Sequence, residues 1–220
     1  MGLIDRKEKG PVIAVDGPAA SGKGTIARAL AAHLGLPHMD TGLLYRAVAL
    51  NLWRWGGDPA SEFEALRAAD MLNVDPADDE IRSEPVSRIA SSISAYPSVR
   101  AALMKRQQDF AEQLDGAVLD GRDIGTVIAP DAEVKLFVTA SLEARARRRW
   151  KEMHARGDQR SLEEITEDLC RRDDRDSNRI EAPLRAADGA VVLDTSKMSI
   201  EAAIMAAVAA VQSVRQADLR

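Results

Sequence analysis

Short apolar runs alternate with segments of helical periodicity over most of the chain. The run PVIAVD at 11–16 has the length and composition of a buried strand, and residues 23–34 carry apolar side chains at helical spacing. Residues 36–40 are consistent with a short second strand, and residues 43–55 with a second helix that is closed by two glycines. The first part of the chain is therefore predicted to run strand, helix, strand, helix.

Further along the chain, three more apolar runs have the length of strands. They are residues 117–120, 134–139 and 190–194. A helix is expected after each of the last two, because Ser141 and Ser199 are suitable N-cap residues. Ser161 and Glu164 fit a capping box at the start of another helix. Apolar strands that alternate with helices predict an α/β domain whose parallel β-sheet is flanked by helices on both faces.

Residues 58–97 interrupt this alternation. The segment is polar, contains four prolines and shows no strand-helix order. A chain of 220 residues is within the range of one domain, with or without an insertion. We therefore predict a single domain over residues 1–220 in which residues 58–97 form an insertion beside the main sheet.

Composition narrows the class of protein. Hydrophobic residues make up 45% of the chain and charged residues 30%, as in ordinary globular proteins. The single cysteine, Cys170, cannot form an internal disulfide and is expected to be a small buried residue, which favours a reducing compartment. The N-terminal residues are charged, and the longest apolar stretch, residues 202–211, is too short to span a bilayer. These features predict a cytoplasmic protein with no membrane contact.

Local charge differs from the average charge. The formal net charge is −5, yet arginines are concentrated in residues 145–149 and 171–185. Aromatic residues are only 4% of the chain, whereas proteins that bind nucleic acid usually combine basic surfaces with aromatic side chains. The arginine clusters therefore favour a small anionic substrate and no nucleic acid.

A phosphate-binding loop follows the first predicted strand. Its residues are Gly17, Pro18, Ala19, Ala20, Ser21, Gly22, Lys23, Gly24 and Thr25. A G-x-x-x-x-G-K sequence between a strand and a helix places backbone N–H groups and a lysine around nucleotide phosphates. This loop predicts ATP binding, and a merely flexible turn would not require Lys23 at this position.

The loop departs from the general pattern where a magnesium ligand is expected. Gly24 replaces the usual serine or threonine after the lysine, and Thr25 follows one position later. Mg²⁺ would then be bound by Thr25 directly, or through water with support from Asp16 or Asp120 at strand ends.

Other arginines are spaced to bind a second anion. The N-K-x-D and D-x-x-G sequences of regulatory GTPases are missing, whereas Arg172, Arg175, Asp176 and Arg179 would share one face of a helix over residues 161–179. That face is either solvated, with local pairs such as Asp168 with Arg172, or part of an anion site. Phosphoryl transfer between two polyanions requires such cations, which favours the anion site. Arg145, Arg148 and Arg149 form another stripe, predicted to belong to a lid over residues 145–179.

Four segments together resemble bacterial cytidylate kinases, in order and over nearly the whole chain. They are DGPAASGKGT at 16–25, DTGLLYR at 40–46, DGRDIGT at 120–126 and RDDRDSNR at 172–179. The third segment is specific, because it is not a general feature of phosphate-loop proteins. The resemblance implies phosphorylation of CMP, and also of dCMP, with ATP as donor and Mg²⁺ as cofactor.

The resemblance also implies a role for each residue that matches the family's acceptor site. The acceptor phosphate would be held by Arg46, Arg122 and Arg179, the cytosine by Ser91, Arg100 and Asp123, and the sugar hydroxyls by Arg172 and Asp176, while Thr41 and Tyr45 would line the pocket. Two alternatives stay open: Ser91 is a surface serine of a helix, with Ser92 and Ser94 close enough for a slip in position, and Arg100 with Asp123 is a structural ion pair.

The predicted reaction is direct in-line transfer without a covalent intermediate, because the acceptor phosphate is already an anionic nucleophile. Lys23, Arg122, Arg179 and Arg148 would stabilise the reacting phosphates in a monomeric enzyme, and His33, His38 and His154 would be structural or surface residues. One alternative is another small-molecule kinase with a phosphate loop, for shikimate or dephospho-coenzyme A. A second alternative is an ATPase or nucleotide-binding regulator whose arginines contact a protein.

Overall fold

The computed structural model describes residues 9–217, and over that range one parallel sheet organises the chain. Its strands are β1 (Val12–Asp16), β2 (His38–Asp40), β3 (Ala117–Gly121), β4 (Val134–Thr139) and β5 (Val191–Asp194). They lie in the order β2-β3-β1-β4-β5, and every neighbouring pair is parallel. Because β1 is central, its side chains are buried on both faces, which explains its continuous apolar run.

Helices cover both faces of the sheet. They are α1 (Lys23–Leu34), α2 (Thr41–Trp55), α3 (Glu62–Asp70), α4 (Glu84–Ile93), α5 (Pro97–Ala111), α6 (Leu142–His154), α7 (Leu162–Asn178) and α8 (Ile200–Ala217). Ile13 and Val15 of β1 pack with α1 and α8, whereas Ala14 packs with α5 and with a π-helical turn at Ile124–Ile128. The predicted α/β fold with a parallel sheet flanked by helices is confirmed.

Side-chain N-caps determine where several helices begin. The Asp40 side chain accepts from the backbone N–H of Leu43, so α2 begins at Thr41, two residues before the predicted start. The predicted caps at Ser141 and Ser199 are present, and Ser161 forms the predicted capping box with Glu164.

The segment 58–97 is helical and has its own apolar core. It contains α3, a 3-10 turn at Asp79–Arg82 and α4. Ile81, Val86 and Ile93 are buried against α2, where Leu52 is fully buried in the same cluster. The segment, which the structure describes throughout, contains no strand, and short helices with small apolar faces take the place of the apolar strands that alternate with helices in the sheet region.

Three expectations about α7 need correction. The helix ends at Asn178, and Arg179 has an extended backbone, so the predicted helical face stops before Arg179. Asp168 pairs with Arg88, Arg160 and Arg171 rather than with Arg172. Cys170 is exposed, not buried. Within residues 9–217, no helix combines the length and apolar character needed to cross a membrane.

Candidate active site

A cavity of about 640 Å³ lies at the carboxyl ends of the strands. It is bounded by the loop after β1, by Asp40 and Thr41 after β2, by Asp120 at the end of β3 and by Thr195 after β5. Parallel α/β sheets bind ligands at this edge, because the helix N-termini and the connecting loops converge there. Most of the sequence-predicted site residues line this one cavity.

The phosphate loop has the backbone shape that its sequence predicts. A Cβ atom at Gly17 would lie 2.0 Å from the Val138 carbonyl oxygen, so only glycine allows this approach to β4. Ala20 (φ 58°) and Gly22 (φ 93°) adopt left-handed conformations, which curve the chain so that successive N–H groups face inward. Ala19 to Thr25 line the cavity, whereas Gly17 and Pro18 support the loop from below.

Lys23 is a cation held close to other cations. Desolvation in the cavity and the positive charge of Arg122 together lower the pKa of its ammonium group to about 8, against the opposing effect of Asp120 and Asp40. A bound anion would relieve this repulsion. The electrostatics of the loop therefore favour a phosphate ligand.

Arginines from several elements form the opposite wall of the cavity. Arg122 Nε donates to Asp176 Oδ2 at 2.8 Å, and Arg172 Nε lies 4.0 Å from the same oxygen. Desolvation and the neighbouring Arg122 lower the pKa of Arg172 to about 9. Arg46 donates to the Ser87 hydroxyl at 3.1 Å from the side of α2. The structure thus brings together residues from α2, β3 and α7.

Two of these arginines keep unused donors. Among the described residues, Arg172 Nε and Arg179 Nη2 are buried without a hydrogen-bond partner. Buried guanidinium N–H groups are costly to leave without a hydrogen bond, and both residues line the cavity, so these atoms indicate that the cavity binds an acceptor of hydrogen bonds.

A buried ion pair forms one end of this wall. Arg100 Nη2 donates to Asp123 Oδ2, and Arg179 Nη2 lies 3.6 Å from Asp123 Oδ1. Arg100 Nη1 donates to the Tyr45 hydroxyl at 3.4 Å, and desolvation raises the pKa of that hydroxyl. Arg100 and Asp123 thus form an ion pair, and both also line the cavity, where the resemblance places the base.

Ser91 does not line the large cavity, where the resemblance to cytidylate kinases placed it beside the base. It is buried on α4, where its hydroxyl accepts from Arg175 Nη2 at 3.1 Å, so the surface-serine alternative is also wrong. Ser91 lines a second cavity of about 330 Å³, enclosed by α4, α6 and α7, whereas Ser94 lines the large cavity. Three positions rotate a helical residue by about 60°, which is enough to separate the two serines.

The three predicted metal residues have different surroundings. Asp120 lines the cavity with one carboxylate oxygen held by His38 Nε2 at 2.8 Å, and Thr25 lines it at the start of α1. Asp16 lies beneath the cavity, where its two carboxylate oxygens accept from the N–H groups of Ile124 and Gly125 at 2.8 Å each. Both carboxylate oxygens of Asp16 thus already accept backbone hydrogen bonds, and Asp16 does not line the cavity as Asp120 and Thr25 do.

The donor set at Asp120 and Thr25 nevertheless fits magnesium. Both supply oxygen atoms, which Mg²⁺ prefers, and Asp120 Oδ2 lies next to the phosphate loop, 3.4 Å from where a Cβ of Gly24 would be. Within residues 9–217, no group of three or more His, Cys, Asp or Glu side chains is placed to hold a metal ion. That combination is typical of Mg²⁺ that keeps several waters and is bound mainly through substrate phosphates.

The arginines of α6 serve the loop in two ways. Arg145 forms a two-point ion pair with Asp173 and donates to the Ala19 carbonyl, so it joins α7 to the loop and does not line the cavity as a lid residue. Arg148 lines the cavity and donates to the carbonyls of Ser21 and Thr195, at 3.3 and 2.6 Å.

Sequence reasoning missed the wall beyond β5. Thr195, Met198, Ile200 and Ala203 line the cavity next to the phosphate loop. The Thr195 hydroxyl donates to the Ser21 carbonyl at 2.9 Å and thereby ties this wall to the loop. The position of these residues after a parallel strand was the signal that could have identified them.

Comparison with known proteins agrees with this site. The cytidylate kinase family model matches residues 13–213. Cytidylate kinase of Methylocella silvestris is 54% identical over 203 residues, which is 92% of this chain and 94% of that protein. Cytidylate kinase of Azorhizobium caulinodans is 52% identical, over 93% of this chain and 99% of that protein.

A solved structure supports the fold alone. It is an uncharacterized protein from Eubacterium ventriosum, 13% identical, with a TM-score of 0.56 over 92% of this chain and 99% of that one. The family model and the relatives cover nearly all of the residues that build the cavity, and the chain belongs to the cytidylate kinase family.

Proposed function

We propose that this enzyme transfers the γ-phosphoryl group of ATP to CMP, and also to dCMP, giving ADP and the nucleoside diphosphate. The observation that carries the proposal is the convergence of Lys23, Arg122, Arg172 and Arg179 on one cavity, where Arg172 and Arg179 each keep a buried N–H group without a hydrogen-bond partner. Two nucleotides that meet head to head repel one another, and fixed cations in a desolvated site offset that repulsion.

The donor nucleotide occupies the side of the cavity formed by the phosphate loop. Backbone N–H groups of residues 19–25 and the ammonium group of Lys23 bind its phosphates. The adenosine lies toward Thr195, Met198 and Ile200, where the wall becomes apolar. This arrangement directs the γ-phosphoryl group toward the arginines of the opposite wall.

The acceptor nucleotide occupies the arginine side. Its phosphate is held by Arg46, Arg122 and Arg179, its sugar by Arg172 and Asp176, and its base by Arg100 and Asp123, with Thr41 and Tyr45 lining the pocket. Asp176 already pairs with Arg122, so this carboxylate partly offsets the positive charge until the anion arrives. Ser91 reaches the base only if α4 turns toward the large cavity.

Transfer proceeds in line, without a covalent intermediate and without a general base. Lys23 stabilises the donor phosphates, Arg122 and Arg179 the acceptor phosphate, and Arg148 the transferring group once it leaves the carbonyls that it now contacts. Asp120 and Thr25 would hold Mg²⁺, directly or through water, and the ion would neutralise charge on the donor phosphates. The enzyme acts as a cytoplasmic monomer, with residues 58–97 as the acceptor insertion and residues 145–179 as the lid.

ADP release in a coupled assay tests this function against its alternatives. The panel contains CMP, dCMP, UMP, shikimate, dephospho-coenzyme A and no acceptor. ADP release should be fast with CMP and dCMP, slower with UMP and near background otherwise. Turnover with shikimate or dephospho-coenzyme A in place of CMP, or ATP hydrolysis that CMP does not stimulate, would overturn the proposal.

A further inference from the structure

The turn that follows β3 is capped by a residue from another strand. Residues Ile124–Ile128 form a π-helical turn, and Asp123 occupies its N-cap position. The first N–H groups of such a turn have no partner within the turn itself. Here the N–H groups of Ile124 and Gly125 donate to the two carboxylate oxygens of Asp16, both at 2.8 Å.

Aspartate at an N-cap position usually caps its own helix. Asp123 does not, since its side chain makes no capping hydrogen bond and points instead to Arg100 and Arg179 on the cavity wall. The Asp123 backbone, with φ −145° and ψ 23°, is also outside the extended conformation of an ordinary N-cap residue. A second carboxylate, from the end of β1, therefore satisfies the donors that Asp123 would otherwise attract.

Sheet register places Asp16 where it can do this. Asp16 pairs with Gly121 across the parallel β1–β3 ladder, so its side chain lies beneath the segment that continues into Arg122 and Asp123. Asp16 is buried, and the residues it contacts are the first two of the turn. A fixed strand thus anchors the loop that carries two predicted acceptor residues.

We propose that Asp16 is a positioning residue for base selection: by capping the turn at Ile124 and Gly125, it keeps the Asp123 carboxylate free to face Arg100 and the cytosine. The inference rests on the proposed function, because it assigns Asp123 to the base. It also replaces the expected role of Asp16 beside the metal ion with a role on the acceptor side.

Replacing Asp16 by asparagine changes the cap but not the size of the side chain. The amide has one oxygen, and its NH₂ group would face a backbone N–H, so one of the two donors loses its acceptor. An unpaired buried N–H beside Asp123 then competes with Arg100 for that carboxylate. Base selection should weaken, while the phosphate loop and the magnesium ligands stay in place.

The test measures kcat/KM for CMP and for UMP, each over a Mg²⁺ titration. Asp16→Asn should lower the CMP:UMP ratio about fivefold, which corresponds to the loss of one capping interaction, and leave the Mg²⁺ concentration for half-maximal rate unchanged. The matched control is Ser61→Ala, which removes the cap of α3, a helix that carries none of the proposed site residues. The control variant should be less stable than the wild type, and its ratio of kcat/KM for CMP to that for UMP should be unchanged.

Two results would overturn the inference. An unchanged ratio with a lower overall rate would leave Asp16 a structural residue, and a raised Mg²⁺ requirement with an unchanged ratio would return it to the metal site. If the wild type itself does not prefer CMP, the proposed function fails instead, so the two failures are distinguishable.

A second measurement covers the case in which Asp16→Asn does not fold. In Asp123→Ala, the amide protons of Ile124 and Gly125 should keep their wild-type protection relative to the amides of β3, because Asp16 still caps them and a loss of overall stability speeds exchange in both segments alike. Loss of protection confined to these two amides would mean that Asp123 caps its own turn, which contradicts the inference.

Discussion

The two halves of the cavity, which we propose hold the donor and the acceptor, differ in the groups that they offer to phosphate. The donor half is mostly backbone, formed by the seven consecutive residues from Ala19 to Thr25, one of which is a lysine. The acceptor half is made of side chains from α2, α5, α7 and the end of β3, several of them already paired with carboxylates. The donor half therefore depends on the conformation of one loop, and the acceptor half on the packing of the whole domain.

The halves also differ in how their positive charges are compensated before a ligand binds. The pKa of Lys23 is lowered by desolvation and by a neighbouring arginine, so its charge is a cost to the folded protein until an anion binds. On the acceptor side, Asp176 and Asp123 share the charge of Arg122, Arg100 and Arg179 before any ligand arrives. Removing a donor-side cation should thus spare stability, whereas removing an acceptor-side carboxylate should affect both stability and selectivity.

Lys23→Ala should give the largest loss of activity. One fixed electrostatic contact to a reacting group is worth about 10²–10³ in rate, and the folded state loses only a disfavoured charge. We expect kcat to fall by that factor while the melting temperature stays the same or rises. Steady-state kinetics at saturating ATP and thermal unfolding check both parts, and near-normal turnover would exclude the assignment of the phosphate loop.

Asp123→Ala, on the acceptor half, should lower both base selectivity and stability, whereas Lys23→Ala should lower activity alone. Cytosine offers an amino group to the Asp123 carboxylate, whereas uracil offers a carbonyl oxygen at the same place, so the carboxylate should favour CMP. Loss of a hydrogen bond to a charged group should lower the ratio of kcat/KM for CMP to that for UMP by roughly 10- to 100-fold in this variant. Stability should also fall, because Arg100 is left buried without its partner.

Ratios of kcat/KM for CMP and UMP, with urea unfolding, measure this prediction. The matched variant is Asp109→Ala, an exposed carboxylate that pairs with Lys105 on the same helix as Arg100. It should change neither quantity appreciably. A wild-type ratio in Asp123→Ala, with only the rate reduced, would move base recognition to Arg100 or Ser91.

The difference in pKa values predicts that the two halves respond separately to pH. ATP phosphates favour the charged form of Lys23, whose pKa is about 8, so donor affinity should fall as pH rises through 8. From pH 7 to 8.5 the charged fraction of Lys23 falls about fourfold. The charged fraction of Arg172, whose pKa is about 9, falls less than about 1.5-fold over the same range. The dissociation constant for an ATP analogue should rise accordingly, and that for CMP should change little.

Calorimetry in buffers of different ionisation enthalpy gives the same information from the proton balance. ATP binding near pH 8 should take up protons, and Lys23→Arg should abolish that uptake, because arginine keeps its charge. In the protein without ATP, the pH dependence of folding stability has the opposite sign to that of ATP affinity. Its folded state holds fewer protons on Lys23 than the unfolded chain, so this group adds stability as pH rises from about 8 toward 10.5. A donor affinity that is independent of pH would contradict the charge assignment.

The contrast between the halves also explains what the sequence could predict. The phosphate loop is contiguous, so its residues and its place between β1 and α1 followed from the pattern of strand, glycines and lysine. The acceptor residues were identified only through resemblance to a family, because their contacts join positions far apart in the chain, such as Arg100 with Asp123 and Arg122 with Asp176.

Two residues show where sequence reasoning ends. Ser91 on α4 and Ser94 directly after it are equally polar, and only the packing of α4 against α7 decides which one faces the large cavity. Asp16 is a carboxylate at a strand end, as a metal ligand would be, and only the β1–β3 register shows that backbone N–H groups occupy it. In both cases the missing information is the orientation of a side chain, which periodicity does not contain.

The smallest expected effect is a change in motion. Residues 58–97 and 145–179, which we propose as insertion and lid, already touch through Arg88 with Asp168 and Arg149 with Glu84, partly exposed pairs that contribute little stability on their own. CMP with a non-hydrolysable ATP analogue should draw residues 58–97 and 145–179 together, because the anions offset the repulsion between their arginines.

Hydrogen exchange should therefore slow in both segments when both ligands are bound, and only partly with either ligand alone. Residues 134–139, which form β4 in the centre of the sheet, serve as the internal reference and should not change. Arg88→Ala should keep this ligand-dependent protection, since the ligands and not one surface pair are expected to close the segments. Unchanged exchange in residues 58–97 and 145–179 with both ligands bound would rule out closure. The acceptor half would then have to bind CMP with its arginines in their present positions, and Ser91 would stay away from the base.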